Sequence, residues 1–265
     1  MALPAGAHRL VDGILCSDEA TTRPSLDAWR LSTVGDLRVG DAVKPRELLG
    51  TAQIPGGEEL RLYKRDVEFI IALGGNELMS SRLSGSEEAL ALLTCDRLQN
   101  VEAPHLLVGG YGMGFTLRAA LGRLGPQARL TVAELAPEII DWARGPMADL
   151  TAGCLDDPRV ELVIRDVYRA IRAGERQYDA ILLDVDNGPD GLVRADNDQI
   201  YSTHGLVAAK TALRPGGVLA IWSAAPDERF TRRLKHSGFQ VEEVMVRAGR
   251  GGKGARHIIW FARVS

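Results

Sequence analysis

A glycine-rich loop is the feature of this sequence best suited to binding a ligand. It contains Gly110, Gly112 and Gly114 and stands between a predicted strand and a predicted helix. Small residues there let the backbone approach a ligand, and the helix that follows offers free N–H groups. The dinucleotide fingerprint GxGxxG is not complete, because Phe115 occupies the position of its third glycine. We therefore rank nicotinamide dinucleotides below a single adenosyl group as the ligand.

Three acidic residues follow the ends of successive predicted strands. A carboxylate at Glu134 can accept hydrogen bonds from both hydroxyls of a ribose, and Asp166 is placed to bond the amino group of an adenine. Asp184 ends the fourth strand, where a carboxylate can bind an ammonium group and accept its proton. Taken singly, each acid could be a helix cap or a turn residue. Their shared position favours a site, because open α/β sheets bind ligands at the carboxyl ends of their strands.

Strands and helices alternate from His105 onward. Residues 106–108, 180–183 and 218–221 are apolar runs, which are typical of parallel strands covered by helices on both faces. The last two strands are predicted to form an antiparallel hairpin with a glycine-rich tip. This pattern predicts a doubly wound α/β nucleotide-binding domain over residues 104–265.

The preceding segment has a different pattern. Residues 46–103 are predicted to form a small β-module and a linking helix, for which Ser86 is the predicted N-cap. Residues 1–45 mix Pro, Gly, Thr and charged residues and are interpreted as an N-terminal arm of unclear structure.

Composition narrows the classes of function. The 265 residues are 45% hydrophobic and 25% charged, with a net charge of −3, so no overall basic field favours nucleic acid. Cys16, Cys95 and Cys154 are far apart and form no CxxC pair, so neither a metal site nor a disulfide framework is predicted. We find neither a signal peptide nor an apolar run long enough to span a membrane, and expect a cytoplasmic protein.

Longer stretches around these features resemble the spermidine synthase family of polyamine aminopropyltransferases. The resemblance runs from about Arg46 to the C-terminus and rests on the segments GGYGMGFTLR (109–118), VAELAPE (132–138), DDPRV (156–160), YDAILLD (178–184) and LRPGG (213–217). It implies a class I methyltransferase-like, Rossmann-like fold with a mostly parallel seven-stranded sheet and a small N-terminal β-module. It also implies S-adenosylmethionine or decarboxylated S-adenosylmethionine as the cofactor, and a homodimer.

The sequence departs from the family pattern at the places that concern the substrate. Family members carry an acid inside the glycine loop that holds the amine of decarboxylated S-adenosylmethionine, and here Gly112 or Met113 stands in its place. The family's gate loop begins with a D-S-S-D-like segment. Here Asp184 keeps the first acid and is the predicted catalytic base, while Asp186 and Asn187 are predicted to orient the acceptor.

Because the loop lacks its acid, we predict methyl transfer from S-adenosylmethionine to a small polar or amine acceptor. Loop and helix N–H groups could hold the donor's carboxylate, with a preference of at least about tenfold for the intact donor. The first alternative is a true aminopropyltransferase, in which Glu87 could supply the missing acid. The second is a non-catalytic nucleotide-binding homologue. The basic hairpin tip at 249–257 is either solvated or a flap that meets an anionic substrate.

Overall fold

Two β-sheets organise the described part of the chain, which is residues 45–54, 59–185 and 198–265 of a computed structural model. Both sheets belong to one compact unit, Lys44–Ser265. The predicted site residues Asp186 and Asn187 lie outside the described residues, and so does all but the last residue of the predicted arm. Within the described ranges, no helix combines the length and apolar composition needed to cross a membrane.

The first sheet is antiparallel and has the strand order β1-β2-β3-β4. Its strands are β1 (Glu47–Gln53), β2 (Glu59–Arg65), β3 (Glu68–Leu73) and β4 (Asn76–Ser80). In β2 the alternating Leu60 and Leu62 are buried, as the sequence pattern predicts. Every residue of β3 is buried, so both faces of this strand are covered. Gly74, Gly75 and Asn76 predict only a turn, and the structure continues from this turn into the strand β4.

Helix α1 (Gly85–Asp96) connects the two sheets. The predicted N-cap was wrong: Ser84 is the N-cap residue, and Ser86 lies inside the first turn. The Ser84 hydroxyl donates to the Glu88 carboxylate at 3.0 Å. Ser86 is consequently free to bond other partners, which become important at the site.

The second sheet has seven strands in the order β10-β11-β9-β8-β5-β6-β7. The strands are β5 (His105–Gly109), β6 (Arg129–Glu134), β7 (Val160–Ile164), β8 (Tyr178–Leu183), β9 (Leu213–Ser223), β10 (Gln240–Gly249) and β11 (Lys253–Arg263). Strands β5 to β9 are parallel, and β11 pairs antiparallel with both β9 and β10. The apolar run Ala180–Leu183 is almost completely buried. This arrangement confirms the predicted class I methyltransferase-like fold.

Seven further helices accompany this sheet in the described ranges. They are α2 (Phe115–Arg123), α3 (Pro137–Arg144), α4 (Ala148–Thr151), α5 (Val167–Ala173), α6 (Asp198–Tyr201), α7 (Thr203–Ala212) and α8 (Glu228–His236). The sequence pattern over 137–150 predicts one continuous helix, but the structure breaks it after Arg144, since Pro146 disfavours helical backbone at Gly145. The pattern over 200–213 likewise predicts one helix, but the structure interrupts it at Ser202, whose hydroxyl accepts the N–H of Gly205 at the start of α7.

The chain order of the parallel strands creates a switch point. From β5 the sheet grows outward through β6 and β7, and the chain then returns to place β8 on the other side of β5. The connections after β5 and β8 therefore diverge, which opens a crevice at the carboxyl ends of these strands.

Candidate active site

A cavity occupies this crevice and reaches the first sheet. Its floor includes Gly110, Gly112 and the residues that follow β6 and β8. Trp222 of β9 contributes another part of the wall. Five apolar side chains from the N-terminal segment line it as well: Ile54, Leu60, Ile71, Leu78 and Met79. The cavity therefore combines a nucleotide-type edge of a parallel sheet with an apolar wall from the β-module.

Close backbone packing explains the glycines of the loop. Gly110 and Gly114 have φ values of +82° and +76°, in the left-handed region. A Cβ on Gly110 would lie 2.8 Å from the carbonyl oxygen of Asp184, so a side chain cannot fit there without a shift. Between the glycines, Tyr111 is buried and its hydroxyl lies 3.3 Å from the Cys154 sulfur. The loop thus presents backbone to the cavity and turns its large side chain into the core.

Glu134 ties the glycine loop to the end of β6. Its carboxylate accepts the backbone N–H of Tyr111 at 2.8 Å, of Leu135 at 2.7 Å and of Ala136 at 2.9 Å. Burial raises the pKa of Glu134, although these backbone hydrogen bonds oppose the shift. The residue also lines the cavity, so its predicted contact with ribose hydroxyls is compatible with its position.

Asp166 follows β7 and has a structural task as well as a place in the cavity wall. Its side chain accepts the backbone N–H of Arg169 at 3.1 Å and caps α5. The capping interpretation and the ligand interpretation are both compatible with this position. Contact with an adenine stays a prediction.

Asp184 lies directly after β8, next to the glycine loop. Its Oδ2 accepts a hydrogen bond from the Thr116 hydroxyl at 2.8 Å. Burial raises the pKa of Asp184, and the Thr116 hydrogen bond partly offsets this. The strand β8 ends at Leu183, so Asp184 is the first residue beyond it.

Glu87 in the first turn of α1 lines the same cavity and is buried. Burial raises its pKa, and the charge of Asp184 raises it further. The structure therefore brings together two carboxylates that are 97 positions apart in the sequence, and Glu87 is the acid that the sequence offered only as an alternative. Each carboxylate therefore disfavours the negative charge of the other, and a cation bound near them would offset this repulsion.

A hydrogen-bonded line leads from Glu87 to the C-terminal hairpin, and the sequence analysis missed it. The Ser86 hydroxyl donates to Glu87 Oε2 at 2.7 Å, and His257 Nδ1 lies 3.0 Å from the same hydroxyl oxygen. The His257 ring meets Trp222 edge to face with centroids 4.7 Å apart. No sequence signal links residues 171 positions apart, so only the fold could reveal this line.

The sequence left two interpretations of the basic hairpin tip at 249–257, a solvated tip or a flap that meets an anionic substrate. Lys253 and Arg256 are exposed, and the Arg247 guanidinium donates to the carbonyl of Gly254 within the hairpin. The hairpin instead packs on α1: a Cβ on Gly85 would lie 2.8 Å from the carbonyl carbon of Gly249. The solvated interpretation of these basic residues is thus favoured.

The ionisable side chains that line the cavity within the described residues are all acidic. Its acidic lining residues are Glu87, Glu134, Asp166 and Asp184, and the described residues that line it include no Lys, Arg or His. In the described ranges, no group of three or more His, Cys, Asp and Glu side chains is arranged to hold a metal ion. Such a cavity attracts a cationic ligand and disfavours a carboxylate.

Residues 91–232 match the family model described as the spermine/spermidine synthase domain, which is more than half of the chain. The chain belongs to the spermine/spermidine synthase family. The polyamine aminopropyltransferase of Mycobacterium tuberculosis is 34% identical over 127 residues, which are 47% of this chain and 23% of the relative. That of Sulfolobus acidocaldarius is 28% identical over 130 residues, which are 49% of this chain and 42% of the relative. The chain spans less than half the length of these curated relatives.

Solved spermidine synthases share the fold. The enzyme of Thermotoga maritima superposes with a TM-score of 0.66 at 20% identity, over 82% of this chain and 73% of that one. A spermidine synthase in complex with the transition state analogue AdoDATO superposes with a TM-score of 0.65 at 19% identity, over 82% and 72%. The family match and the curated relatives do not support the predicted methyltransferase activity. They favour the aminopropyltransferase alternative.

Proposed function

We propose that this chain is an aminopropyltransferase that transfers the aminopropyl group of decarboxylated S-adenosylmethionine to a small amine. The observation that carries the proposal is the cavity's charge: four acids and, among the described lining residues, no basic side chain. Both the donor's free amine and the acceptor's ammonium groups suit such a site. The polyamine aminopropyltransferases among the relatives support the same choice.

The charge argues against the intact donor. S-adenosylmethionine carries a carboxylate that its decarboxylated form lacks. At an effective dielectric constant of about 20, two like charges about 4 Å apart repel by about 4 kcal/mol. Loop N–H groups could offset part of this cost, but Tyr111 N–H is already donated to Glu134. Because Glu87 and Asp184 already repel each other in the cavity, a third carboxylate adds to an unfavourable field.

We expect the adenosyl part of the donor to bind at the glycine loop and at the ends of β6 and β7. In this proposal the glycine loop lies against the donor, Glu134 accepts the ribose hydroxyls, and Asp166 bonds the adenine amino group. Apolar contacts with the base come from Leu135, Ile139 and Val167, which line the cavity beside these two acids. Each of these side chains follows the end of β6 or β7, as ligand contacts in open α/β sheets do.

The transfer is a displacement at the carbon attached to the sulfonium sulfur. The amine nitrogen forms a bond to this carbon, the carbon–sulfur bond breaks, and its electron pair neutralises the sulfur. The attacking amine must lose a proton, and Asp184 is the group we assign as its acceptor, because burial raises its pKa toward the working range of a base. Asp186 and Asn187 stay predicted to orient the acceptor.

Calorimetric titration with the two donors side by side tests the choice of donor. We expect the decarboxylated donor to bind about tenfold or more tightly than S-adenosylmethionine, which corresponds to about 1.4 kcal/mol. Tighter binding of S-adenosylmethionine would overturn the proposal and restore methyl transfer. A chain that binds neither donor would be the non-catalytic homologue.

A further inference from the structure

The line from His257 through Ser86 to Glu87 connects the C-terminal hairpin to the cavity. We propose that His257 is a positioning residue, which holds Glu87 ionised and directed at the cationic ligand. This inference rests on the proposed function for the identity of that ligand. The bonds themselves, at 3.0 Å and 2.7 Å, are properties of the fold.

The direction of the hydrogen bonds follows from the number of hydrogens. A serine hydroxyl has one hydrogen, and Ser86 donates it to Glu87 Oε2. With Glu87 ionised and Ser86 donating to it, the Ser86 oxygen accepts from the ring, which requires the His257 tautomer that carries a hydrogen on Nδ1. This assignment makes His257 the donor that fixes the rotation of the hydroxyl, and the hydroxyl in turn fixes the carboxylate.

Packing makes the line rigid. Ser86 is 1% exposed, so water does not compete for its hydroxyl. Trp222, which lines the cavity, covers the His257 ring edge to face. The hairpin backbone approaches α1 at Gly85, where no side chain fits. Packing contacts therefore fix the position of His257 independently of its hydrogen bond to Ser86.

Glu87 needs such support because its surroundings work against its charge. Burial, Asp184 and Glu88 each disfavour the ionised carboxylate, and the Ser86 hydrogen bond favours it. Without a donor behind it, the Ser86 hydroxyl can turn away, and Glu87 then gains a proton or another rotamer. Either change removes a negative charge that a cationic ligand would use.

Four variants test the proposal. His257→Phe removes the Nδ1 donor and keeps a flat ring, whereas His257→Asn places an amide N–H close to the position of Nδ1. Ser86→Ala removes the hydroxyl at the centre of the line and replaces the Phe variant in the test if that variant does not fold. His236→Asn, at the exposed end of α8, is the matched control.

Binding of decarboxylated S-adenosylmethionine is the first readout. His257→Phe and Ser86→Ala should each weaken it about fivefold or more, and the acidic limb of binding should move to higher pH, since Glu87 loses the bond that favours its charge. His257→Asn should bind within about twofold of the parent chain and keep its pH profile. An Asn variant as weak as the Phe variant, or unchanged binding in both Phe and Ala variants, would overturn the positioning role.

Ligand-free crystal structures provide a second readout that does not depend on the donor. The Glu87 carboxylate should leave its position in the Phe and Ala variants and keep it in the Asn variant. An unmoved carboxylate in the Phe and Ala variants would contradict the inference even if the donor is correctly assigned. A moved carboxylate would support it even if the parent chain fails to bind the decarboxylated donor.

Discussion

Replacing Glu87 by Gln removes one of the two central carboxylates of the cavity while keeping its size. A charge pair about 4 Å apart gains about 4 kcal/mol at an effective dielectric constant of about 20. We expect about half of this to be lost, because Asp184 ionises more fully once its neighbour is neutral. Affinity for decarboxylated S-adenosylmethionine should therefore fall by about 10- to 100-fold.

The same substitution should act in the opposite direction on the intact donor. Because the field that repels a carboxylate is weaker, affinity for S-adenosylmethionine should rise severalfold. Calorimetric titration of both donors measures the two changes, and Glu102→Gln, at an exposed position outside the cavity, is the matched control. A folded Glu87→Gln variant with both affinities within about twofold of the parent would refute the charge argument.

Four further outcomes are expected. Asp184→Asn should lower turnover about 100-fold or more in steady-state assays with little change in donor affinity, and near-normal turnover would leave Asp184 a turn residue. Glu134→Ala should weaken donor binding about tenfold or more by calorimetry while the fold, checked by circular dichroism, is kept. The raised pKa of Glu87 means that the folded state binds a proton more tightly than the unfolded state, so the stability of the parent falls as pH rises through that pKa. The Glu87→Gln variant should therefore unfold a few °C above the parent at pH 8, and this difference in melting temperature should shrink toward pH 5. Light scattering at micromolar concentration should give a homodimer, as the family resemblance implies, and a monomer would contradict that expectation.

The parallel sheet was predictable because its strands carry their own signal. The runs 106–108, 180–183 and 218–221 are apolar, and the structure buries all three. Asp184 could be placed from the end of the run 180–183, and Glu134 from the end of the neighbouring strand β6. The helix break near Gly145 was also visible as a Gly-Pro pair, but the apolar periodicity on both sides concealed it.

The charge of the cavity was not predictable from its most conspicuous motif. The glycine loop lacks an acid, and this alone led to the prediction of methyl transfer. The structure supplies the missing charge from Glu87 on α1, because the linking helix starts beside the carboxyl end of β8. The start of that helix was misplaced by two residues, since Ser84 and Ser86 are both of a residue type that commonly precedes a helix.

Identification of the nucleoside product tests the central claim most directly. The chain should be incubated with a small diamine and each donor in turn, and the products should be separated and identified by mass spectrometry. Aminopropyl transfer predicts 5′-methylthioadenosine and an aminopropylated amine from the decarboxylated donor. The Asp184→Asn variant should form both products at about a hundredth of the parent rate or less. Formation of S-adenosylhomocysteine and a methylated amine from S-adenosylmethionine, with no turnover of the decarboxylated donor, would contradict the account.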